Sequence, residues 1–134
     1  MIRGSCLCGE VRYEIRGTLS PVTHCHCSQC RKAHGAAFGS YARVDAADFR
    51  WLSGEASVAF FRSSPDVRRS FCRNCGTRLQ FLRDSRPQSF SIAVATLDGD
   101  PGTRPMHHIF VGSKAPWFEI AGDLPQYEER PPSK

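Results

Sequence analysis

Apolar and polar residues alternate along several short segments of the chain, which is the pattern of half-buried β-strands. In residues 10–16, Val11, Tyr13 and Ile15 alternate with charged side chains. Similar segments are residues 57–62, 78–83, 89–97 and 108–111. Glycine and proline interrupt the chain between these segments, so the sequence predicts a mainly β fold.

Helix is predicted at only two places. Residues 28–37 and residues 45–52 could each form about two helical turns, and Asp45 could cap the second helix. No linker, repeat or low-complexity tract divides the chain, so we expect a single domain over residues 1–127. The polar, proline-rich residues 128–134 are expected to form a frayed tail.

The composition is typical of a globular domain, with 134 residues of which 40% are hydrophobic and 23% charged. No apolar segment approaches the roughly 20 residues that a membrane helix needs. No secretory signal precedes Cys6. We therefore expect a cytoplasmic protein without a membrane partner, in a reducing compartment where clustered cysteines hold metal more often than they form disulfides.

The net charge of +5 favours anionic ligands, and either nucleic acid or a small acidic metabolite would satisfy it. The arginines are dispersed along the chain, without a basic extension, a recognition helix or interleaved basic and aromatic residues. Nucleic-acid binding is therefore not expected. These features leave the oligomeric state open.

Seven cysteines are the unusual feature of the composition, and their odd number argues against a framework of disulfides alone. Cys72 and Cys75 form a Cys-x-x-Cys motif followed by glycine, which is typical of a zinc knuckle. Cys6 and Cys8 are likewise followed by glycine. Because a tetrahedral structural site needs four ligands, the two pairs together predict one closed zinc site.

Cys25, Cys27 and Cys30 remain, and three thiolates without a fourth are typical of a catalytic zinc that keeps one position for water or substrate. A histidine could instead close a second structural site. The candidates are His24, His26 and His34. A third alternative is a redox pair of Cys27 and Cys30, although the strand-then-helix context of thioredoxin-like proteins is missing.

The charge of an open three-cysteine site favours one kind of chemistry. Three thiolates around Zn²⁺ leave a net negative charge, which makes the ion a poor Lewis acid for carbonyls but suits the capture and deprotonation of an external thiol. Arg31 and Lys32 follow directly on the last cysteine. They could offset this charge or bind an acidic substrate, or they could be two solvated cations.

Four segments resemble successive motifs of the glutathione-dependent formaldehyde-activating (GFA) family, which also includes centromere protein V. They are GSCLCGEVRYE, HCHCSQCRKAHGAAF, SFCRNCGTRLQF and HHIFVGSKAPW, between Gly4 and Trp117. The resemblance implies a β-tent fold of small antiparallel sheets organised around two zinc ions. The cysteines that match its structural ligands are Cys6, Cys8, Cys72 and Cys75. Those that match its catalytic ligands are Cys25, Cys27 and Cys30.

The activity implied by the resemblance is that of a carbon–sulfur lyase or synthase that joins a thiol such as glutathione to an aldehyde such as formaldehyde. The resemblance places His107 and His108 near the metal cleft, where either could bind substrate, transfer a proton or form structural hydrogen bonds. Several aromatic residues could line the pocket or belong to the core: Phe38, Phe60, Phe71, Phe81 and Trp117. The alternative function is a non-catalytic, zinc-stabilised binding module for a protein or a nucleic acid.

Overall fold

The structure, a computed structural model, describes residues 1–132 and is built mainly of β-strands, as the sequence predicts. The strands and the α-helix of these residues are β1 Ile2–Ser5, β2 Arg12–Ile15, β3 Val22–Cys25, α1 Ser28–His34, β4 Gly39–Asp45, β5 Phe49–Ser53, β6 Val58–Ser64, β7 Val67–Cys72, β8 Arg78–Arg83, β9 Ser89–Ala93 and β10 Pro105–Ile109. They form a three-stranded sheet, β1-β2-β5, and a seven-stranded sheet, β10-β3-β4-β9-β8-β7-β6. Neighbouring strands are antiparallel except β10 and β3, which are parallel.

The hydrophobic core lies between the two sheets. Tyr13 and Ile15 of β2 are fully buried and belong to one cluster with Val44 of β4 and Ile92 of β9. Because side chains alternate along a strand, the residues next to Val44 lie on the opposite face of the seven-stranded sheet, where Arg43 is exposed. We call this second side the outer face.

Strand register aligns polar and aromatic residues across the outer face. Tyr41 of β4 pairs with Thr23 of β3, and Arg43 pairs with Ser91 of β9. Phe81 of β8 pairs with Ser91 on one side and with Arg69 of β7 on the other. Five adjacent strands therefore contribute side chains to one continuous surface.

The first predicted helix is present and is shorter than expected. It spans Ser28–His34 and ends at Gly35, whose φ of 60° lies in the left-handed region that favours glycine. The last three residues of the predicted segment, 35–37, therefore lie beyond the helix.

The second predicted helix is wrong. Ala46–Asp48 form one 3₁₀ turn without a side-chain cap from Asp45, and the chain then continues as β5. Tertiary packing explains the difference, because the rings of Phe49 and Trp51 both contact Tyr13, at centroid distances of 5.2 and 6.3 Å. An extended strand brings these two residues to the core together.

The C-terminal segment is hydrogen-bonded to β10 and the turn that follows it. The backbone N–H of Tyr127 donates to the carbonyl of His108, and the N–H of Phe110 donates to the carbonyl of Glu129. Backbone hydrogen bonds thus reach residues 128 and 129 of the segment 128–134 that the sequence predicts to be a frayed tail, and residues 133–134 lie outside the described part of the chain. No helix in residues 1–132 is both long and apolar enough to cross a membrane.

Candidate metal centres and active site

Four cysteine sulfurs meet where the loop between β1 and β2 approaches the turn after β7. The Sγ atoms lie within 4.8 Å of one another and belong to Cys6, Cys8, Cys72 and Cys75, which we call the four-cysteine group. The distance from the sulfur of Cys8 is 3.5 Å to that of Cys6 and 3.9 Å to that of Cys72. Two sulfurs on a tetrahedral zinc with Zn–S bonds of about 2.3 Å would be about 3.8 Å apart. The donor set and its spacing therefore fit a structural zinc.

Glycine turns and backbone donors shape the four-cysteine group. Gly9 and Gly76 have φ angles of 80° and 81°, which other residues adopt only under strain. The N–H of Gly76 donates to the carbonyl of Cys72, and the N–H of Val11 points at the sulfur of Cys6 from 3.3 Å. These turns and contacts fix the positions of the sulfurs that would bind the metal.

The three-cysteine group consists of Cys25, Cys27 and Cys30, whose sulfurs also lie within 4.8 Å of one another. Cys25 is the last residue of β3 and pairs with Ile109 of β10. Cys27 is the N-cap of α1, and its sulfur accepts the backbone N–H of Cys30 at 3.3 Å. The helix cap and the strand pairing thus bring the three sulfurs together.

No histidine nitrogen of residues 1–132 belongs to the three-cysteine group. The side chains of the three candidates are hydrogen-bonded in pairs: His24 with Ser40, His26 with His108 and His34 with Tyr41. Burial lowers the pKa of each candidate to about 4, so all three are neutral at neutral pH. Within the described chain the donor set is therefore three cysteine sulfurs, one fewer than a closed tetrahedral zinc site needs.

A buried arginine contacts the three-cysteine group. Arg69 of β7 is only 5% exposed, and its Nη1 and Nη2 atoms lie 3.6 and 3.7 Å from the sulfur of Cys30. Burial opposes the guanidinium charge, but Cys30 and Tyr41 raise the pKa of Arg69 overall. A buried cation needs a negative partner, and Cys30 would supply one when it is deprotonated by metal binding.

A cavity of about 330 Å³ opens on the outer face beside the three-cysteine group. Cys25, Cys30 and Tyr41 are among its lining residues, and the cations that line it are Arg43 and Arg130. Among the described residues no carboxylate lines the cavity. Its size is that of a site for a small molecule, and its charge favours an anionic one.

The sequence profile of the family described as glutathione-dependent formaldehyde-activating enzyme matches residues 1–113. The chain belongs to this family. The matched part of the GFA-family protein contains all seven cysteines and all ten strands described above.

An uncharacterized lyase and a protein of known structure are among the proteins similar to this GFA-family chain. An uncharacterized lyase of Schizosaccharomyces pombe is 30% identical over 78 residues, which cover 58% of this chain and 55% of that protein. The chain thus spans about half the length of this relative. The crystal structure of a Rhodobacter sphaeroides protein superimposes with a TM-score of 0.63 at 28% identity, covering 77% of this chain and 97% of that one.

In the GFA-family protein, Arg31 and Lys32, the two cations that the sequence suggests for substrate binding, do not line the cavity. Lys32 lines a separate pocket between α1 and β6, together with Phe61. The Nε atom of Arg31 is buried without a hydrogen-bond partner among the described residues. The cations that line the cavity, Arg43 and Arg130, are instead supplied by β4 and the C-terminal segment.

The two adjacent histidines of β10 have different surroundings. His107 lines the cavity, and its Nε2 atom lies 3.0 Å from the hydroxyl of Thr23. His108 is buried, and its Nδ1 atom lies 2.8 Å from Nε2 of His26. Alternation along the strand explains this separation. Of the two, His107 is therefore the one placed to meet a ligand in the cavity.

Several residues of the candidate site lack a sequence motif. Arg69 and Arg43 lie within strands, and sheet register brings Arg69 to Cys30 and Arg43 to the cavity. Phe110, which packs beside Cys25 and Cys30, has a φ of 56° and is the only non-glycine residue with a positive φ in the described chain. A strained residue of this kind is often found at a functional site, but sequence does not reveal it.

Proposed function

We propose that the protein is a zinc-dependent lyase that forms and cleaves the carbon–sulfur bond between a thiol and an aldehyde. Glutathione and formaldehyde are the pair that the family name suggests. The observation that supports this proposal is the three-cysteine group, which borders a cavity and has no fourth ligand in residues 1–132.

The cysteines have two distinct roles in this proposal. Cys25, Cys27 and Cys30 would hold a zinc that binds an external thiol and lowers its pKa below the ordinary value of about 8.5. The four-cysteine group would hold a second zinc that only stabilises the fold. Arg69, in contact with Cys30, would offset the negative charge of the three thiolates.

The reaction needs no oxidant or reductant. The substrate sulfur donates an electron pair to the aldehyde carbon, the carbonyl pair moves to oxygen, and that oxygen takes up a proton. In the reverse direction the hydroxyl loses its proton and the carbon–sulfur bond breaks. We assign the proton transfer to His107, because it lines the cavity and burial lowers its pKa, so that the neutral imidazole can accept the proton that the thiol loses and then donate it to the carbonyl oxygen.

Cobalt substitution tests whether the three-cysteine group is open. Glutathione should change the absorption spectrum of the cobalt-loaded protein and release a proton at neutral pH, because its sulfur binds the metal as a thiolate. Oxidised glutathione has no thiol and should leave the spectrum unchanged. A spectrum that no thiol alters, at concentrations that leave the metal bound, would indicate a closed site and support a non-catalytic binding module instead.

A further inference from the structure

A groove lined by arginines adjoins the cavity. It has a volume of about 110 Å³, and its cations are Arg43, Arg83, Arg86 and Arg130. Arg43 and Arg130 line both the groove and the cavity, so the two spaces adjoin one another on the outer face. We call this space the arginine groove.

The positive charge of the arginine groove has little compensation within the protein. Arg43, Arg86 and Arg130 form no ion pair with residues 1–132, and Arg83 has one acidic neighbour, Asp66, at 3.9 Å. Burial and the neighbouring Arg130 and Arg86 lower the pKa of Arg83, which shows that these cations repel one another. No carboxylate of the described chain lines the groove. An anionic ligand would relieve this repulsion.

Phe81 connects the arginine groove with the three-cysteine group. Its ring lies 5.0 Å from the guanidinium carbon of Arg69 and 5.3 Å from that of Arg83. Arg69 contacts the sulfur of Cys30, whereas Arg83 lines the groove. Arg69, which contacts Cys30, and Arg83 of the groove are thus held on the adjacent strands β7 and β8, on the same aromatic ring.

We propose that the arginine groove binds the anionic end of the thiol substrate while its sulfur occupies the cavity at the three-cysteine group. This inference rests on the proposed function. It restricts the substrate class to thiols that carry a carboxylate or phosphate several bonds away from the sulfur. Guanidinium groups suit both anions because they donate paired hydrogen bonds to either.

The test compares two double variants as zinc-loaded proteins. Arg83→Ala with Arg86→Ala removes two groove cations, whereas Arg12→Ala with Arg16→Ala removes the same charge from exposed positions in and directly after β2. Binding is measured by calorimetry with glutathione, coenzyme A, 2-mercaptoethanol and S-methylglutathione, which has no thiol. Equal zinc content and circular dichroism establish that all three proteins are folded.

The groove variant should bind glutathione or coenzyme A about tenfold more weakly than wild type, as expected for the loss of charge-assisted hydrogen bonds at a partly exposed site. The ligand with the larger loss identifies carboxylate or phosphate as the preferred anion. Binding of 2-mercaptoethanol should be the same in all three proteins. The proposal would be overturned if the groove variant bound both anionic thiols as tightly as wild type. It would also be overturned if the control variant lost as much affinity for them as the groove variant.

The same ligands separate this inference from the proposed function. If neither glutathione nor 2-mercaptoethanol alters the spectrum of the cobalt-loaded protein, the proposed function fails. The arginine groove would then still be supported as an anion site if S-methylglutathione binds and its binding depends on Arg83 and Arg86. If S-methylglutathione does not bind, or binds equally well without these arginines, the groove proposal is overturned.

Discussion

The two cysteine groups have the same kind of ligand and opposite surroundings. Cys6 and Cys72 of the four-cysteine group belong to the main hydrophobic cluster, and a backbone N–H contacts the sulfur of Cys6. Cys25 and Cys30 of the three-cysteine group form a separate small cluster and border a cavity, and a buried arginine contacts Cys30. The cysteine ligands alone therefore do not distinguish a structural metal site from a catalytic one. The neighbouring cation and the space beside the sulfurs distinguish the two groups.

Loss of a ligand from the four-cysteine group should have the largest effect. Cys72→Ser should give an insoluble or unfolded protein, because the apparent binding free energy of a structural zinc is about 10–16 kcal/mol and equals or exceeds a typical stability of about 5–15 kcal/mol. Soluble yield and circular dichroism measure the effect. A soluble, folded variant would show that the four-cysteine group does not stabilise the fold.

Loss of a ligand from the three-cysteine group should not unfold the protein. Cys27→Ser should leave a folded protein that binds one zinc ion instead of two and has lost thiol–aldehyde activity, since Cys27 lies at a helix cap outside the main core. Elemental analysis and circular dichroism on the same sample measure both properties. If Cys27→Ser unfolds while Cys72→Ser is tolerated, the structural and catalytic assignments must be exchanged.

Substitution of Arg69 tests the difference between the two cysteine groups while all seven cysteines stay in place. Arg69→Gln should weaken zinc binding at the three-cysteine group by about 10–100-fold, the usual effect of losing a residue that contacts a metal ligand. Arg69→Lys should recover part of this affinity because it restores the charge. Competition with a chelator, which resolves the two zinc ions, provides the measurement.

Arg68→Gln is the matched control, because Arg68 lies on the same strand and pairs with exposed Asp84. Zinc affinity at the four-cysteine group should be the same in all of these variants. Equal weakening at both groups would contradict a specific role of Arg69 and would indicate a general loss of stability.

The cysteine groups and many strands could be predicted from the sequence because their signals are local. Cys72, Cys75 and the following glycine form one turn, and Val11, Tyr13 and Ile15 alternate within one strand. The helix predicted over residues 45–52 failed because Phe49 and Trp51 pack against Tyr13, a contact between strands that local propensity does not include.

The arginines of the candidate site could not be predicted, because they too reach the site through contacts between segments that are distant in sequence. Arg69 reaches Cys30 across 39 positions of sequence, and Arg43 and Arg130 reach the same cavity from strands and segments that the sequence pattern did not connect. Arg31 and Lys32 follow Cys30 directly in the sequence, but they do not line the cavity. Sheet register, which depends on the whole fold, decides which cations line the cavity.

The smallest predicted effect concerns acid sensitivity of the helix that carries Cys30. Burial, together with Arg69 and Arg78, lowers the pKa of His34 from 6.5 to about 4. Between these values the unfolded chain binds more protons at this residue than the folded chain, so the stabilising contribution is complete above 6.5 and is lost as pH falls toward 4. His34→Gln should therefore reduce the fall in Tm across this window by a few degrees at most, since His34 is only partly buried.

Hydrogen exchange at several pH values locates this effect in one of the two regions. On acidification, amides of α1 should lose protection before those of the turn around Cys72 and Cys75, because His34 lies on α1 and is hydrogen-bonded to Tyr41. In His34→Gln the α1 amides should keep more of their protection. Identical pH profiles in wild type and variant would exclude His34 as a source of the acid sensitivity, and earlier loss at the Cys72 turn would reverse the order of stability assigned to the two cysteine groups.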